Sequence, residues 1–366
     1  MLRGIGETLD RSIINEHWRH RMNLSLTRRD FVKTSAAAGL GLWAAGGRDA
    51  HAAFKTTLHK AMIFNRPKKG IPIAAPNAAV GTPELSMPAA MEAYLRQLKD
   101  AGFEGVEGCI ATVEEAAECR RLADKLGMRI HSVLRGWAEF NSDDPAKVES
   151  TLKVTEDALR AAHAYGAETV LLVPCRVGGK GLAMPEAWEF EIEFDKKTGH
   201  VSKVVAGDNE KYKDYIAAQN HATDTSRAAV KKLIPLAEEL KVIIALENVW
   251  NNLWVKPALF QNFVASFHNP WVKAYFDIGN HVKYQKPEDW IHALGPLIAK
   301  CHIKDFLLNP DGHGGKFVHP RDGSINWSAV RQALDDIGYN GWLSIEDGGL
   351  PLEEFNKRLD LIIAGK

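Results

Sequence analysis

Four metal-capable side chains sit at the ends of short apolar runs in the second half of the chain. Glu247 follows Val242-Ile243-Ile244-Ala245-Leu246, and Asp277 follows Val272-Lys273-Ala274-Tyr275-Phe276. His302 closes Pro296-Leu297-Ile298-Ala299-Lys300-Cys301, and Glu346 closes Trp342-Leu343-Ser344-Ile345. Each run has the length and the β-branched or aromatic content of a strand. A lone carboxylate or histidine at such a place is ordinarily a satisfied core group. Two Glu, one Asp and one His at the same end of four strands point instead to one divalent metal ion. Mixed carboxylate and imidazole ligation suits Mn²⁺ first, with Mg²⁺, Co²⁺ and Zn²⁺ as alternatives.

Such a site needs a scaffold that brings four strand ends together. From residue 58 onward short β-branched runs alternate with amphipathic stretches. Strands are expected over 58–64, 102–107, 128–134, 169–174, 242–247, 272–277, 299–305 and 342–346. Helices are expected over 88–101, 113–126, 144–165, 221–240, 257–267, 287–294, 327–337 and 351–363. Gly127 and Gly166 stand where helix-stopping residues belong. Eight strand–helix units imply a parallel sheet and close naturally into a (β/α)8 TIM barrel, whose chemistry lies at the C-terminal ends of its strands. No G-x-G-x-x-G turn follows the first strand, so a dinucleotide-binding open sheet lacks its signature.

One stretch, about 176–220, interrupts the alternation after the fourth strand. Within it Trp188, Phe190, Ile192 and Phe194 alternate with acidic residues, Lys196-Lys197-Thr198-Gly199 makes a turn, and Val201 and Val205 lie on the return. Period and turn chemistry predict a β-hairpin insertion. Leaving from the C-terminal end of a barrel strand, it would stand over or beside the site as a lid, a substrate wall or a contact in a homo-oligomer.

The bulk properties agree with an enzyme of small molecules. The 366 residues carry 46 Lys plus Arg and 46 Asp plus Glu, a formal net charge of zero, so no basic face is imposed and nucleic acid is not the expected partner. The four cysteines match no zinc or redox spacing and read as small buried hydrophobes. At the N-terminus Thr27-Arg28-Arg29-Asp30-Phe31-Val32-Lys33 is a twin-arginine pattern, with Arg28 and Arg29 as its signal pair. An Ala- and Gly-rich run over 34–47 follows, then Ala50-His51-Ala52, an A-x-A cleavage site. Residues 1–52 are thus expected to be a Tat signal peptide, with 53–366 as one mature barrel domain. The Tat translocase would be a transient partner, and the destination the periplasm or beyond.

Several segments together resemble the sugar isomerase/epimerase superfamily of xylose-isomerase-like barrels. They are Gly105-Val106-Glu107, Ala245-Leu246-Glu247-Asn248, Phe276-Asp277-Ile278-Gly279-Asn280 and Cys301-His302-Ile303-Lys304-Asp305. The segment Pro320-Arg321-Asp322-Gly323-Ser324-Ile325-Asn326-Trp327 and the stretch from Gly338 to Glu346 complete the set. The resemblance covers about 58–363. It implies a metal held by Glu247, Asp277, His302 and Glu346, with Glu247 and Glu346 as the acid/base pair. The chemistry is coherent. A proton on carbon next to a carbonyl becomes labile when a divalent metal stabilises the enediolate. One carboxylate then removes it and the other returns it. Return on the opposite face epimerises, and return at the neighbouring carbon isomerises. Expulsion of a β-substituent makes a lyase or dehydratase of a keto-sugar or 3-keto-glycoside.

The chain departs from the superfamily's epimerases at two places. Position 280 is Asn where a substrate-binding His is common, with His281 one residue later, and position 308 is Leu where an Arg is common. Substrate contacts must therefore come from elsewhere. Glu107, His131, Trp250, His281, Lys304, His319 and Arg321 are the candidates. Two further readings remain open, an endonuclease-IV-like hydrolase and a sugar-binding barrel without activity.

Overall fold

Eight strands pair in parallel and close on themselves in the order β1-β12-β9-β8-β7-β4-β3-β2. They are β1 (Leu58–Ile63), β2 (Gly105–Cys109), β3 (Arg129–Trp137), β4 (Thr169–Val173), β7 (Ile243–Glu247), β8 (Val272–Asp277), β9 (Ile298–Ile303) and β12 (Gly341–Ile345). The structure, a computed structural model, describes residues 54–64, 85–179 and 181–366. The twin arginines Arg28 and Arg29, the cleavage site and most of the loop after β1 lie outside the described residues. The compact unit that holds the barrel runs from Phe54 to Lys366. Among the described residues no helix is long and apolar enough to cross a membrane.

Among the described residues eight helices cover the outside: α1 (Met87–Asp100), α2 (Val113–Leu126), α3 (Pro145–Tyr165), α4 (Lys213–Leu240), α5 (Pro257–Ala265), α6 (Pro287–Leu294), α7 (Trp327–Asp336) and α8 (Leu352–Ile363). Their ends follow from local chemistry. Thr112 and Glu115 form a reciprocal capping box at the start of α2, and Gly127 ends it at φ 68°. Asp144 caps α3 through Ala146 N–H. The helix α4 starts eight residues earlier than its sequence pattern suggests, because Tyr215 and Gln219 already have a buried surface to cover.

The main core lies between the strands and these helices, with Phe260, Phe263, Trp254 and Trp290 among its largest fully buried side chains. Inside the barrel a small cluster of Leu171, Val173, Ala245 and Tyr275 supports a polar layer above it. Because side chains alternate along a strand, Ala245 and Glu247 share the inner face of β7, as Tyr275 and Asp277 share that of β8. Register then aligns the strand ends: Asp277 pairs with His302, His302 with Ser344, and Glu247 with Tyr275.

Two short antiparallel pairs decorate the C-terminal face. β5 (Glu193–Phe194) pairs with β6 (Val201–Lys203) in the segment between β4 and α4. Its turn is held by Asp195, whose carboxylate accepts the N–H groups of Lys197 and Thr198. The strands are shorter than the apolar alternation suggests, since Phe190 turns inward to pack on Tyr215 and Tyr284 while Trp188 stays exposed. A second hairpin, absent from the sequence expectation, follows the seventh barrel strand. It pairs β10 (Asp305–Leu308) with β11 (Gly315–Val318). Trp188 stacks on His313 in its turn, with ring centroids 4.3 Å apart.

Candidate metal centre

Each side chain on the rim is aimed by its neighbours in sequence. Asp277 ends β8, and its Oδ1 accepts the backbone N–H groups of Gly279 and Asn280 at 2.8 Å each. That occupies one carboxylate oxygen and leaves Oδ2 for the site. The turn admits only glycine at 279, because a Cβ there would lie 2.7 Å from the Cβ of Lys304 and 2.9 Å from its carbonyl carbon. Asn248, beside Glu247, stitches β7 to β8. It donates to Asp277 O at 2.8 Å and accepts from Asp277 N–H at 2.7 Å. Asn280 donates to Asn248 O at 3.1 Å and reaches Glu247 Oε1 at 3.4 Å.

His302 is fully buried, and its Nε2 lies 2.5 Å from Oε2 of the equally buried Glu107. A carboxylate only accepts, so Nε2 carries the hydrogen and Nδ1 presents its lone pair to the rim. The Ser132 hydroxyl donates to the other oxygen of Glu107. His302 Nδ1 then stands 2.8 Å from Glu346 Oε2, 3.6 Å from Glu247 Oε1 and 3.9 Å from Asp277 Oδ2. One ligand atom from each of the four residues lies within 4.8 Å of all the others.

These residues fit a metal ion on an independent observation. Among the described residues Asp277 Oδ2, His302 Nδ1 and Glu346 Oε2 are buried atoms without a hydrogen-bond partner. Their mutual approaches are electrostatic and lack hydrogen-bond alignment. A buried polar atom left unsatisfied costs roughly 1–3 kcal/mol. Three of them converging on one point form the arrangement that a divalent cation relieves, and three carboxylates with one imidazole are its ordinary ligands. The Lys304 ammonium is the cation that this structure brings closest, 2.7 Å from Glu346 Oε2 and 3.2 Å from Asp277 Oδ2.

The two glutamates are driven in opposite directions. Burial pushes the Glu247 carboxyl up to about 7, helped by the charge of Glu346 and opposed by the His302 ring. Burial also works to raise Glu346, but His302 and Lys304 outweigh it and hold that carboxyl at about 2. Asp277 is raised by burial, against the pull of Lys304.

The remaining candidates divide into those at the rim and those elsewhere. Trp250 and Lys304 line the cavity above the four residues, together with Asn280, Phe317 and Glu346. Trp250 is anchored by its indole N–H on Asn280 O, with Lys283 Nζ 3.5 Å from the ring centroid. Glu107 does not reach the cavity, because its carboxylate is spent on His302 and Ser132. A register shift between Val106 and Glu107 sets Glu107 opposite Ser132 and leaves His131 one layer lower. There His131 bonds Ser344 Oγ at 2.9 Å and stacks on Trp342, away from the rim. His281 is buried behind the site, bonding Val249 O at 3.0 Å and packing on Trp290. Arg321 is exposed in a loop, and only its backbone N–H contributes, to Asp305 Oδ2 at 2.9 Å. His319 lies outside the rim in a neighbouring hollow, paired with Asp347 at 2.7 Å. Asp305 gathers Phe306 N–H, Arg321 N–H and Trp327 Nε1–H and so anchors the β10–β11 hairpin.

Sequence reasoning missed Asn248 as a strand clamp and Phe317 as a wall of the cavity. The first had a signal, an amide directly after a rim glutamate. The second had none until the hairpin was visible.

Comparison with known proteins places this fold. The model of the xylose isomerase-like TIM barrel family matches residues 95–361. A curated relative, an uncharacterised protein of Methanocaldococcus jannaschii, is 23% identical over 221 residues, 57% of this chain. The match spans 62% of that protein's length. Among solved structures, a D-tagatose 3-epimerase-like protein superposes with a TM-score of 0.59 at 16% identity, covering 84% of this chain and 97% of its own. The 3-keto-D-glucoside 4-epimerase of E. coli gives 0.58 at 14% identity, covering 84% and 100%. The D-allulose 3-epimerase of a Methylomonas species, in complex with D-allulose, gives 0.54 at 17%, covering 84% and 91%. At these identities the structures share the fold.

Proposed function

The chain belongs to the xylose isomerase-like TIM barrel family, and we propose that it is a divalent-metal-dependent isomerase or epimerase of a sugar or keto-sugar. Glu247, Asp277, His302 and Glu346 would hold the metal, Mn²⁺ before Mg²⁺, Co²⁺ or Zn²⁺. When bound, the ion would supply Lewis-acid stabilisation of charge developing on a carbonyl oxygen. The convergence of Asp277 Oδ2, His302 Nδ1 and Glu346 Oε2, buried atoms without a hydrogen-bond partner, beside Glu247 is the observation that carries this reading.

The chain's own groups do the rest. As the acid–base pair, one of Glu346 and Glu247 takes the proton from carbon and the other returns it. Lys304 brings a fixed positive charge between Glu346 and Asp277, where it can bind a substrate hydroxyl or carbonyl. Asn280 positions Glu247, and Trp250 offers an apolar face to the C–H side of a sugar ring. The fold-sharing structures named as 3- and 4-epimerases of sugars support carbohydrate as the substrate class. The twin-arginine pattern supports export by the Tat route.

The test is a panel of ketoses and 3-keto-glycosides incubated with metal-loaded protein, with products identified by chromatography and mass spectrometry. A new epimer or isomer, lost on chelation, is expected. A product with a new double bond or a released aglycone would make the protein a lyase. Turnover that survives chelation would refute the metal's role.

A further inference from the structure

The cavity above the rim adjoins a second hollow. The inner cavity has a volume of about 340 Å³ and the outer one about 360 Å³. They share Phe317, Val318 and Asp347 as a common wall. Both volumes fall near the lower end of small-molecule sites, roughly 300–1,000 Å³, so each is the size of one small ring rather than of an extended ligand.

The wall between them is the unexpected part. Phe317 is 44% exposed, and its ring packs edge-on to Phe306 at 5.2 Å and 4.8 Å from Trp250. A large aromatic packed on two others and still presented to solvent where two cavities meet offers a stacking surface. Beyond it the lining becomes polar and carries both signs of charge. His319 Nδ1 pairs with Asp347 Oδ2 at 2.7 Å, Arg358 holds Asp322 at 2.8 Å, and Lys316 completes the edge. Both carboxylates of this hollow are already paired, so a phosphate would have to compete with them for His319 and Arg358, whereas mixed donors and acceptors suit neutral hydroxyl groups. Because Phe317, Val318 and Asp347 line both hollows, one joined pair of rings lying over this shared wall would reach the rim and the outer hollow together.

We propose that the substrate is a neutral two-ring glycoside. The ring bearing the carbonyl occupies the inner cavity, and a second sugar ring lies across Phe317 with its hydroxyls on the His319–Asp347 pair. The assignment of the inner ring rests on the acid–base reading of the rim. The outer ring rests on Phe317 and the second hollow alone.

The experiment is saturation-transfer NMR on Mg²⁺-loaded protein with fructose, lactulose and maltulose. The two disaccharides join galactose or glucose to fructose through opposite anomers. Saturation of both rings of at least one disaccharide is expected. Phe317→Ala should remove the signal from the outer ring and weaken that disaccharide about tenfold more than fructose, and Phe317→Trp should restore both. Saturation confined to the fructose ring, an equal effect of Phe317→Ala on mono- and disaccharide, or no binding by either disaccharide would overturn the subsite. Two-ring contact without deuterium exchange into any sugar of the panel would sink the acid–base reading and leave the subsite standing.

Discussion

Replacing Glu107 tests the centre without touching the rim. The carboxylate sits behind His302, 2.5 Å from its Nε2, with no exposed surface on either residue. A hydrogen bond to a charged group is worth about 1.5–3 kcal/mol, or about ten- to 150-fold in an equilibrium constant at about 1.4 kcal/mol per decade. Carboxylates behind metal-ligating histidines are worth about 10–100-fold in metal affinity. Glu107→Gln keeps an acceptor oxygen, so Nδ1 still faces the rim, but it loses the charge. A loss near tenfold is expected. Glu107→Ala also strands His302 Nε2–H and the Ser132 hydroxyl in a buried space. It should approach 100-fold and cost about 1–3 kcal/mol of stability. Calorimetric titration of the apo-protein with Mn²⁺ or Zn²⁺ measures the first effect and urea unfolding the second. Unchanged affinity in both variants would show that Glu107 does not orient His302 for a metal.

His281 should make the fold acid-sensitive. Burial lowers its pKa from 6.5 to about 3, and its Nδ1 has no partner to receive a proton. The unfolded chain takes up that proton below about 6.5 and the native state does not. The stability it contributes is therefore complete above pH 6.5 and is lost as pH falls toward 3. The loss is about 2 kcal/mol by pH 5 at about 1.4 kcal/mol per unit. His281→Gln should flatten the acid limb of urea-midpoint-against-pH by that amount, and an identical limb would contradict this. Gly279→Ala forces a Cβ against Lys304. It should cost about 1–3 kcal/mol of stability and weaken metal binding, read by thermal unfolding and titration. Changing Arg28 and Arg29 together to Lys should leave unprocessed protein in the cytoplasm, scored by fractionation.

How much of this was readable beforehand depends on the range of the interaction concerned. Glu247, Asp277, His302 and Glu346 were visible because parallel barrel strands are apolar runs, so a polar residue closing one stands out. Barrel closure then supplies the meeting point. The β10–β11 hairpin was hidden because Asp305-Phe306-Leu307-Leu308 continues an apolar run, and the strand it pairs with, Gly315–Val318, is short and exposed. Its turn did leave a trace in Asp311-Gly312-His313-Gly314. Glu107 and His131 looked equivalent from spacing alone. A single register shift between β2 and β3 separates them, sending Glu107 to His302 and His131 to the layer below. Such a shift depends on cross-strand packing and has no local signal. His281 and Arg321 are polar residues near a motif, but burial behind the rim in one case and a solvent-facing loop in the other keep their side chains from the site.

The central claim is that Glu346 exchanges a proton with carbon next to a sugar carbonyl. Deuterium incorporation from D₂O into a turned-over ketose or keto-glycoside, followed by mass spectrometry, measures it directly. Wild-type protein loaded with metal should incorporate one deuterium at that carbon, and Glu346→Gln at equal metal content should lose about 10²–10⁴ of the rate. Undiminished exchange in Glu346→Gln would contradict the role given to the residue.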